Sequence, residues 1–158
     1  MQDEEKMKKE FKEALRIIYE KLKNTNIKWA LIGSTNMNLQ GIDVNPRDLD
    51  MVVTLENLKK IPEIFKEFSS SEVKKLPPMT SESGWEVKLK ISSVDVQVLG
   101  EKNTGEYVSK LLRGQLTKIK LDDVEIPCFT LKAEAQTYAE TNRLHKAEII
   151  NKFLENKK

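Results

Sequence analysis

Near the N-terminus, apolar residues recur every three or four positions among many lysines and glutamates. These apolar residues are Phe11, Leu15, Ile18 and Leu22. Their spacing predicts an amphipathic helix over residues 3–24. The apolar run 27–32 ends at Gly33 and predicts a buried strand, and a short helix is expected over residues 35–40 with Gly41 as its C-cap.

The next part of the chain changes from strand spacing to helical spacing. Residues 49–54 predict a second strand, and residues 55–68 have apolar side chains at helical intervals. Pro62 lies inside that interval, so the helix is expected to start late or to kink. The serines and prolines of residues 69–82 predict a loop.

Strict alternation of apolar and polar side chains follows. Residues 85–91 alternate with a period of two, which is typical of a half-buried strand. Ser92 and Ser93 predict a tight turn into a partner strand over residues 94–99. A short helix is expected around residues 105–112.

The C-terminal part predicts a hairpin and then a helix. Residues 116–120 and 124–126 flank two aspartates like the arms of a hairpin, and Pro127 is expected to end the second arm. Thr130 is suited to N-cap a final helix over residues 131–154.

The order of these elements predicts the fold class. Helices and strands alternate without an internal repeat or a linker, which favours a mixed α+β or α/β domain with helices flanking a mixed sheet. We expect one domain over residues 1–158, with a core over 27–100 and a C-terminal hairpin and helix over 115–156.

Composition narrows the function classes. The 27 lysines and arginines nearly balance the 25 aspartates and glutamates, giving a net charge of +2, so a protein that wraps a polyanion is not expected. One cysteine, Cys128, and one histidine, His145, exclude a disulfide framework and a Cys- or His-rich metal centre. There is no apolar run long enough to span a bilayer and no signal-peptide pattern at the N-terminus, so a cytoplasmic protein is expected.

Gly33 and Ser34 form the first candidate for chemistry. They lie between a predicted buried strand and a predicted helix, where free backbone N–H groups and the Ser34 hydroxyl can bind a phosphate. Thr35, the next residue, is a further candidate for binding the nucleotide phosphates. The alternative is an ordinary turn or N-cap, because Gly-Ser turns are common.

Asp48 and Asp50 form the second candidate. Residues two apart on a strand face the same side, so both carboxylates are expected to project together. Adjacent like charges repel unless a cation lies between them, and Mg²⁺ prefers carboxylate and phosphate oxygens. The alternative is a solvated strand end. Arg47, next to the pair, is expected to neutralise it or to contact phosphate.

Asp95 is the third candidate. It lies between Val94 and Val96, which predicts a central strand, where a carboxylate is costly unless it is paired or bound to a metal. The alternative is a partly exposed edge strand. Three basic residues, Lys88, Arg143 and Lys146, are possible phosphate contacts, and each can equally belong to a solvated face.

Taken together, these segments resemble the nucleotidyltransferase superfold, the DNA polymerase β-like family. Its signature consists of an apolar residue before Gly-Gly/Ser, then two acids separated by one apolar residue, then a single acid between apolar residues. The matching segments are Ile32-Gly33-Ser34, Asp48-Leu49-Asp50-Met51 and Val94-Asp95-Val96. The resemblance covers residues 27–100 well. Within the family, the chain is similar to the small prokaryotic minimal and antibiotic-modifying members.

The resemblance extends more loosely to the C-terminus. Small members often carry a late lysine followed by Arg-x-Lys-Asp on a helix. Arg143 fits the arginine, whereas Tyr138 stands where the lysine would be, and His145 and Lys146 replace Lys-Asp.

The resemblance implies a metal-dependent transfer of a nucleoside monophosphate from an NTP, with ATP expected, to a hydroxyl of a small molecule or protein. In such an enzyme Asp48 and Asp50 would hold two Mg²⁺ ions, and Asp95 would ligate the reactive metal and accept the proton of the hydroxyl. Gly33, Ser34 and the N–H groups beyond would bind the β- and γ-phosphates.

Two alternatives stay open. The chain can be a catalytically degenerate member that binds a nucleotide or a partner protein, as an antitoxin would. It can also be an RNA-directed nucleotidyltransferase, which the near-neutral charge and the short chain disfavour. No membrane partner is expected, and a nucleic acid partner is not favoured.

Overall fold

The computed structural model describes residues 7–77 and 84–157. The helices in this part of the chain are α1 (Lys9–Leu22), α2 (Gly33–Leu39), α3 (Leu55–Leu58), α4 (Ile61–Ile64), α5 (Val108–Leu112), α6 (Leu131–Glu140) and α7 (Leu144–Asn156). The strands are β1 (Ala30–Ile32), β2 (Leu49–Thr54), β3 (Lys74–Lys75), β4 (Gly84–Ile91), β5 (Val94–Glu101), β6 (Leu116–Leu121) and β7 (Val124–Phe129).

These strands form one mixed sheet in the order β3-β4-β5-β2-β1-β7-β6. The pairs β2–β5 and β1–β7 are parallel, and the other neighbours are antiparallel. The β2–β5 register places Leu49 opposite Val96 and Asp50 opposite Gln97. The mixed α+β sheet with flanking helices that the sequence predicts is confirmed.

The two faces of the sheet differ because side chains alternate along each strand. On one face, Leu49 and Met51 of β2 and Val96 of β5 are buried in the main hydrophobic core with the apolar side of α1. The opposite face of the same strands carries Asp50 and Gln97, and next to them Val52 and Leu99, which are buried in a second hydrophobic cluster with residues of α5 and β7. Among the described helices, none is long and apolar enough to cross a membrane.

The N-terminal elements are shorter than their patterns predict. The first helix was expected over residues 3–24, and α1 runs from Lys9 to Leu22; residues 3–6 lie outside the described part. The strand expected over residues 27–32 is limited to Ala30–Ile32, because only these residues pair with β2. Gly41 follows α2 at φ 104°, and the N–H of Ile42 donates to the carbonyl of Met37, as expected for a glycine C-cap.

The single helix expected over residues 55–68 was wrong. The segment forms α3, then α4, then a 3₁₀ turn over Lys66–Phe68. Pro62 lies in the first turn of α4, where its missing N–H costs no helical hydrogen bond. The predicted late start at the proline is therefore correct for α4, while α3 precedes it as a separate turn.

The final helix expected over residues 131–154 was also wrong as one element. It is divided into α6 and α7, and Asn142 lies between them at φ 64°. A left-handed residue cannot continue a right-handed helix, and asparagine is one of the few residues that adopt that conformation readily. Thr130 does cap α6, because its hydroxyl accepts the N–H of Ala133 at 3.0 Å.

Pro127 does not end its strand, contrary to expectation. It lies within β7 opposite Lys118 of β6. Proline weakens a sheet only where a backbone N–H is needed for strand pairing. The pairing of β7 with β1 is at Cys128, one residue after Pro127, so it does not use the position of the proline.

The remaining differences are local. Part of the loop expected over residues 69–82 forms the short strand β3, which pairs with β4, and residues 78–82 lie outside the described part. The helix expected over residues 105–112 begins at Val108. The buried carboxylate of Glu101 accepts the N–H groups of Tyr107 and Val108, both at 2.9 Å, and so satisfies the first turn of α5.

The turn between β4 and β5 offers a stability test. Ser92 and Ser93 have φ 51° and 69°, which fits a type I′ turn and favours Asn-Gly. Replacing them together by Asn and Gly should stabilise the fold by about 1 kcal/mol, measured by denaturant unfolding. Ser109→Gly in α5 is the control for the Ser93→Gly part of the variant. The same serine-to-glycine change within a helix should destabilise the protein. A double variant no more stable than the starting protein would contradict this explanation.

Candidate active site

The candidate site begins where Gly33 passes close to Asp50. Gly33 lies at the junction of β1 and α2 with φ 79°, a conformation that L residues with side chains rarely adopt. A Cβ at this position would lie only 2.8 Å from Oδ2 of Asp50. The glycine therefore permits both the turn and the close packing of the carboxylate against the backbone.

Asp50 is held in an unusual electrostatic environment. Burial and, secondarily, the negative charge of Asp48 raise the pKa of Asp50 to about 6. The positive charges of Lys146 and Arg143 act in the opposite direction. A carboxylate whose pKa is raised by burial and that lies near two cations has the character of a functional group rather than of an ordinary surface acid.

Asp50 lines a small cavity that we call the Asp50 cavity. It encloses about 90 Å³ and is bordered by Ile32, Gly33, Ser34, Asp50, Leu76, Gln97, Leu99, Tyr107, Tyr138, Arg143 and Lys146. Ser34, Arg143 and Lys146 were predicted phosphate-binding residues, and the fold brings all three to Asp50. Arg143 immediately precedes α7 and Lys146 lies in its first turn, more than 90 residues after Asp50 in the sequence.

A second, wider opening lies beside it, and we call it the Asp95 cleft. Its volume is about 430 Å³, and its lining includes Asp48, Lys88, Asp95 and Gln97. Gln97 borders both spaces, so they are neighbours on the sheet face that carries Asp50. Asp95 is 67% exposed, and its Oδ1 lies 3.1 Å from Nζ of Lys90.

The setting of Asp95 differs from the interior position expected. β5 is flanked by β4 and β2, so the strand is central as predicted. Asp95 is near its start, where the carboxylate reaches solvent and an exposed lysine. An exposed pair of this kind adds little stability, so structural need does not explain the carboxylate.

The acidic residues partly fit a magnesium site. Mg²⁺ is commonly held by one or two carboxylates together with substrate phosphates, and Asp48 and Asp50 are near enough to affect one another electrostatically. In residues 7–77 and 84–157, no group of three or more His, Cys, Asp or Glu side chains is gathered closely enough to hold a metal ion. The described carboxylates therefore do not complete a metal site by themselves: Asp48 and Asp50 would need substrate oxygens to complete one, and metal ligation by Asp48, Asp50 and Asp95 stays a prediction.

Two predicted residues have other positions. The hydroxyl of Thr35 donates to the carbonyl of Asp48 at 2.7 Å, so its side chain joins α2 to the start of β2 instead of facing the cavity. Arg47 is exposed and borders neither the Asp50 cavity nor the Asp95 cleft. Their proposed roles in phosphate binding stay predictions.

Arg143 is fixed by aromatic residues. Its Nη2 donates to the hydroxyl of Tyr107 at 2.6 Å, and its guanidinium lies 4.9 Å from the ring centre of Tyr138. Nζ of Lys146 lies 5.5 Å from the same ring. These cation–π contacts hold both cations next to Tyr138, which lines the same cavity as they do.

Glu134 is a buried acid that the sequence reasoning missed. It lies on α6, and its Oε1 accepts the N–H of Gly33 at 3.0 Å and Nδ2 of Asn36 at 2.8 Å. Burial raises its pKa to about 7. The available sequence signal was its place between Ala133 and Ala135, small residues on the buried side of a helix.

Comparisons with known proteins agree with this geometry. No protein-family model and no curated protein sequence matches the chain. Among solved structures, the crystal structure of TM1012 from Thermotoga maritima, assigned as a nucleotidyltransferase, has a TM-score of 0.73 at 29% identity. That match covers 95% of this chain and 96% of TM1012. The chain therefore has a nucleotidyltransferase fold.

A second solved protein, the antibiotic-resistance factor ANT(2'')-Ia, has the same fold. The solution structure of the antibiotic-resistance factor ANT(2'')-Ia matches with a TM-score of 0.62 at 12% identity, over 94% of this chain and 86% of that one. Its crystal structure with adenylyl-2''-tobramycin matches with a TM-score of 0.52 at 12% identity, over 90% and 97%. At this identity the likeness establishes the fold alone.

The contact between Gly33 and Asp50 is testable by comparing two glycines. Gly33→Ala should destabilise the protein through both backbone strain and the clash with Asp50. Gly114→Ala is the matched control, because Gly114 has φ 73° but nothing within 4 Å of an added Cβ. We expect a loss of roughly 1 kcal/mol for Gly114→Ala and at least about 2 kcal/mol for Gly33→Ala in denaturant unfolding. If both variants lost the same free energy of unfolding, the contact with Asp50 would make no contribution to stability.

The raised pKa of Asp50 predicts a pH-dependent effect. The folded pKa is about 6 against 3.8 for the ordinary side chain, so the folded protein binds this proton more strongly and ionisation destabilises it as pH rises through that window. In EDTA, Asp50→Asn should raise the free energy of unfolding by about 2–3 kcal/mol at pH 8, and most of this gain should be lost by pH 4.5. Asp43→Asn, at an exposed loop residue, should show no such pattern. An Asp50→Asn effect equal at both pH values would contradict the assignment.

Proposed function

We propose that this chain is a metal-dependent nucleotidyltransferase. It moves a nucleoside monophosphate from an NTP to a hydroxyl of a small molecule or protein and releases pyrophosphate. The observation that carries the proposal is the placement of Asp50, on a nucleotidyltransferase fold, between the glycine-serine turn and the cations Arg143 and Lys146.

The charges around Asp50 support triphosphate binding. Arg143 presents a planar set of donors suited to phosphate oxygens, and Lys146 adds a second positive charge. The hydroxyl of Ser34 borders the same space. ATP is the proposed nucleotide, because the crystal structure of ANT(2'')-Ia contains adenylyl-2''-tobramycin, an adenylylated small molecule.

The carboxylates support a role for Mg²⁺. Asp48 and Asp50 would hold the metal together with phosphate oxygens, with Asp95 as a third ligand and two ions expected when the NTP is bound. Bound Mg²⁺ supplies positive charge that offsets the charge developing on the phosphate oxygens.

Asp95 is the proposed proton acceptor. Its carboxylate faces the Asp95 cleft, which is wide enough for an acceptor to enter. It would take the proton as the hydroxyl oxygen forms its bond to the α-phosphorus, while the bond from that phosphorus to pyrophosphate breaks. No covalent intermediate with the protein is needed.

A second candidate function is nucleotide or partner binding without catalysis. One observation favours it: a buried tyrosine, Tyr138, stands where small members of the superfold carry a lysine. In either function, a whole triphosphate could enter the Asp50 cavity, whose volume is about 90 Å³, only if Arg143 and Lys146 moved away from Asp50.

The test separates catalysis from binding with three variants. The wild-type protein, incubated with labelled ATP, Mg²⁺ and a lysate of its host, should label an acceptor. Asp95→Asn should abolish transfer, at least about 10²-fold, while ATP affinity measured by calorimetry changes by less than about tenfold. Asp50→Asn should impair both properties.

Asp43→Asn is the matched control, since it removes an exposed acid away from both spaces, and it should retain full activity. Full transfer by Asp95→Asn would remove Asp95 from the mechanism. ATP binding without transfer to any acceptor in the lysate would favour the binding function.

A further inference from the structure

The side chain of Glu134 joins the C-terminal part of the fold to the glycine turn of the candidate site. It is fully buried, and one of its oxygens, Oε1, accepts from both Gly33 and Asn36. The other oxygen, Oε2, is buried and has no hydrogen-bond partner in the described part of the chain. A buried carboxylate with an unpartnered oxygen costs stability, so packing alone does not favour glutamate here.

The contact belongs to a network that closes around the turn. Nδ2 of Asn36 also donates to the carbonyl of Phe129 at 3.1 Å, at the end of β7. Nε2 of Gln40 donates to the same carbonyl at 2.8 Å and to Oδ1 of Asn36 at 2.7 Å. The position of α2 relative to β7 and α6 is therefore fixed by hydrogen bonds that meet at Asn36 and Glu134.

Gly33 is consequently held from two sides. Its N–H is bound by Glu134, and its Cα faces Oδ2 of Asp50 so closely that an added Cβ would lie 2.8 Å away. If the Gly33 peptide moved, the surface against which the Asp50 carboxylate packs would move with it. Glu134 can thus affect Asp50 without lining the Asp50 cavity.

We infer that Glu134 is a positioning residue: by holding the Gly33 peptide, it sets the orientation of the Asp50 carboxylate for binding a divalent metal. The inference rests on the proposed function, since it assumes that Asp50 is a metal ligand. It assigns Glu134 no proton transfer and no contact with substrate.

The hydrogen-bond pattern determines which substitutions are informative. Because both bonds end on Oε1, Glu134→Gln can keep them through its amide oxygen and should behave like the wild type. Glu134→Ala removes both bonds, and Glu134→Asp, one methylene shorter, draws the acceptor away while keeping a carboxylate. Thr137→Val is the matched control: Thr137 is a buried polar residue of the same helix, but its hydroxyl bonds to the carbonyl of Ala133 within α6.

The principal readout is direct binding of Mn²⁺, followed by the loss of the free-ion signal in electron paramagnetic resonance. Melting temperatures report folding, and labelled-ATP transfer runs in parallel. Glu134→Ala should weaken Mn²⁺ binding about tenfold, whereas Glu134→Gln and Thr137→Val should stay within about threefold of the wild type. If Glu134→Ala does not fold, Glu134→Asp replaces it, with an expected loss of at least about threefold.

The outcomes separate this inference from the proposed function. Wild-type Mn²⁺ affinity in folded Glu134→Ala or Glu134→Asp would overturn the inference, even if the wild type transfers nucleotide normally. A loss in Thr137→Val as large as in Glu134→Ala would also overturn it, because general loosening of α6 would then explain both. A wild type that binds Mn²⁺ with the expected Glu134 dependence but transfers nothing would support the inference and contradict the enzyme. A wild type that binds no Mn²⁺ would overturn the positioning role, since there would be no metal site to position.

Discussion

The close approach of Asp50 to Gly33 constrains the rest of the candidate site. A carboxylate can lie against the backbone there only because residue 33 has no Cβ and can adopt φ 79°. The packing partly buries Asp50, and this burial is the largest cause of its raised pKa. Asp48 raises the pKa of Asp50 further, whereas the positive charges of Lys146 and Arg143 lower it.

The sheet provides the rigid frame for this contact. Because β2 and β5 are adjacent and parallel, residues two apart on each strand form matched rows on one face, with Asp50 opposite Gln97. The other face of both strands is buried beneath α1, which prevents the strands from shifting by one residue without exposing the core. The hydrophobic core thereby fixes which acids face the cleft and the cavity.

The positive side of the site depends on the break between α6 and α7. Asn142 reverses the chain, and Arg143 directly after it contacts Tyr107 and Tyr138. A continuous helix would carry Arg143 and Lys146 along the axis of α6 instead. Asp50 and the cations thus face each other because the chain turns at one asparagine, and Glu134 on α6 links the same helix pair to Gly33.

The sequence by itself determined the elements whose signals are local. Period-two alternation indicated β4 and β5, and Ser92-Ser93 indicated their turn. Strand geometry predicted that Asp48 and Asp50 share a face, because residues i and i+2 of a strand point to the same side. The fold itself was indicated by the resemblance of the segments around Gly33, Asp50 and Asp95 to the nucleotidyltransferase signature. The breaks of the helices were predicted only where a proline marked one, since Asn142 gives a weak signal when its neighbours have helical spacing.

Only the tertiary structure decided which distant residues complete the site. Glu134 and Gly33 are separated by 101 positions, and no local pattern connects them. The exposure of Asp95 likewise depended on its place at the start of β5, whereas its valine neighbours suggested burial. Periodicity reports which side of an element is apolar, but the partner of a buried polar group is fixed by how separate elements pack, and that packing is a property of the whole chain.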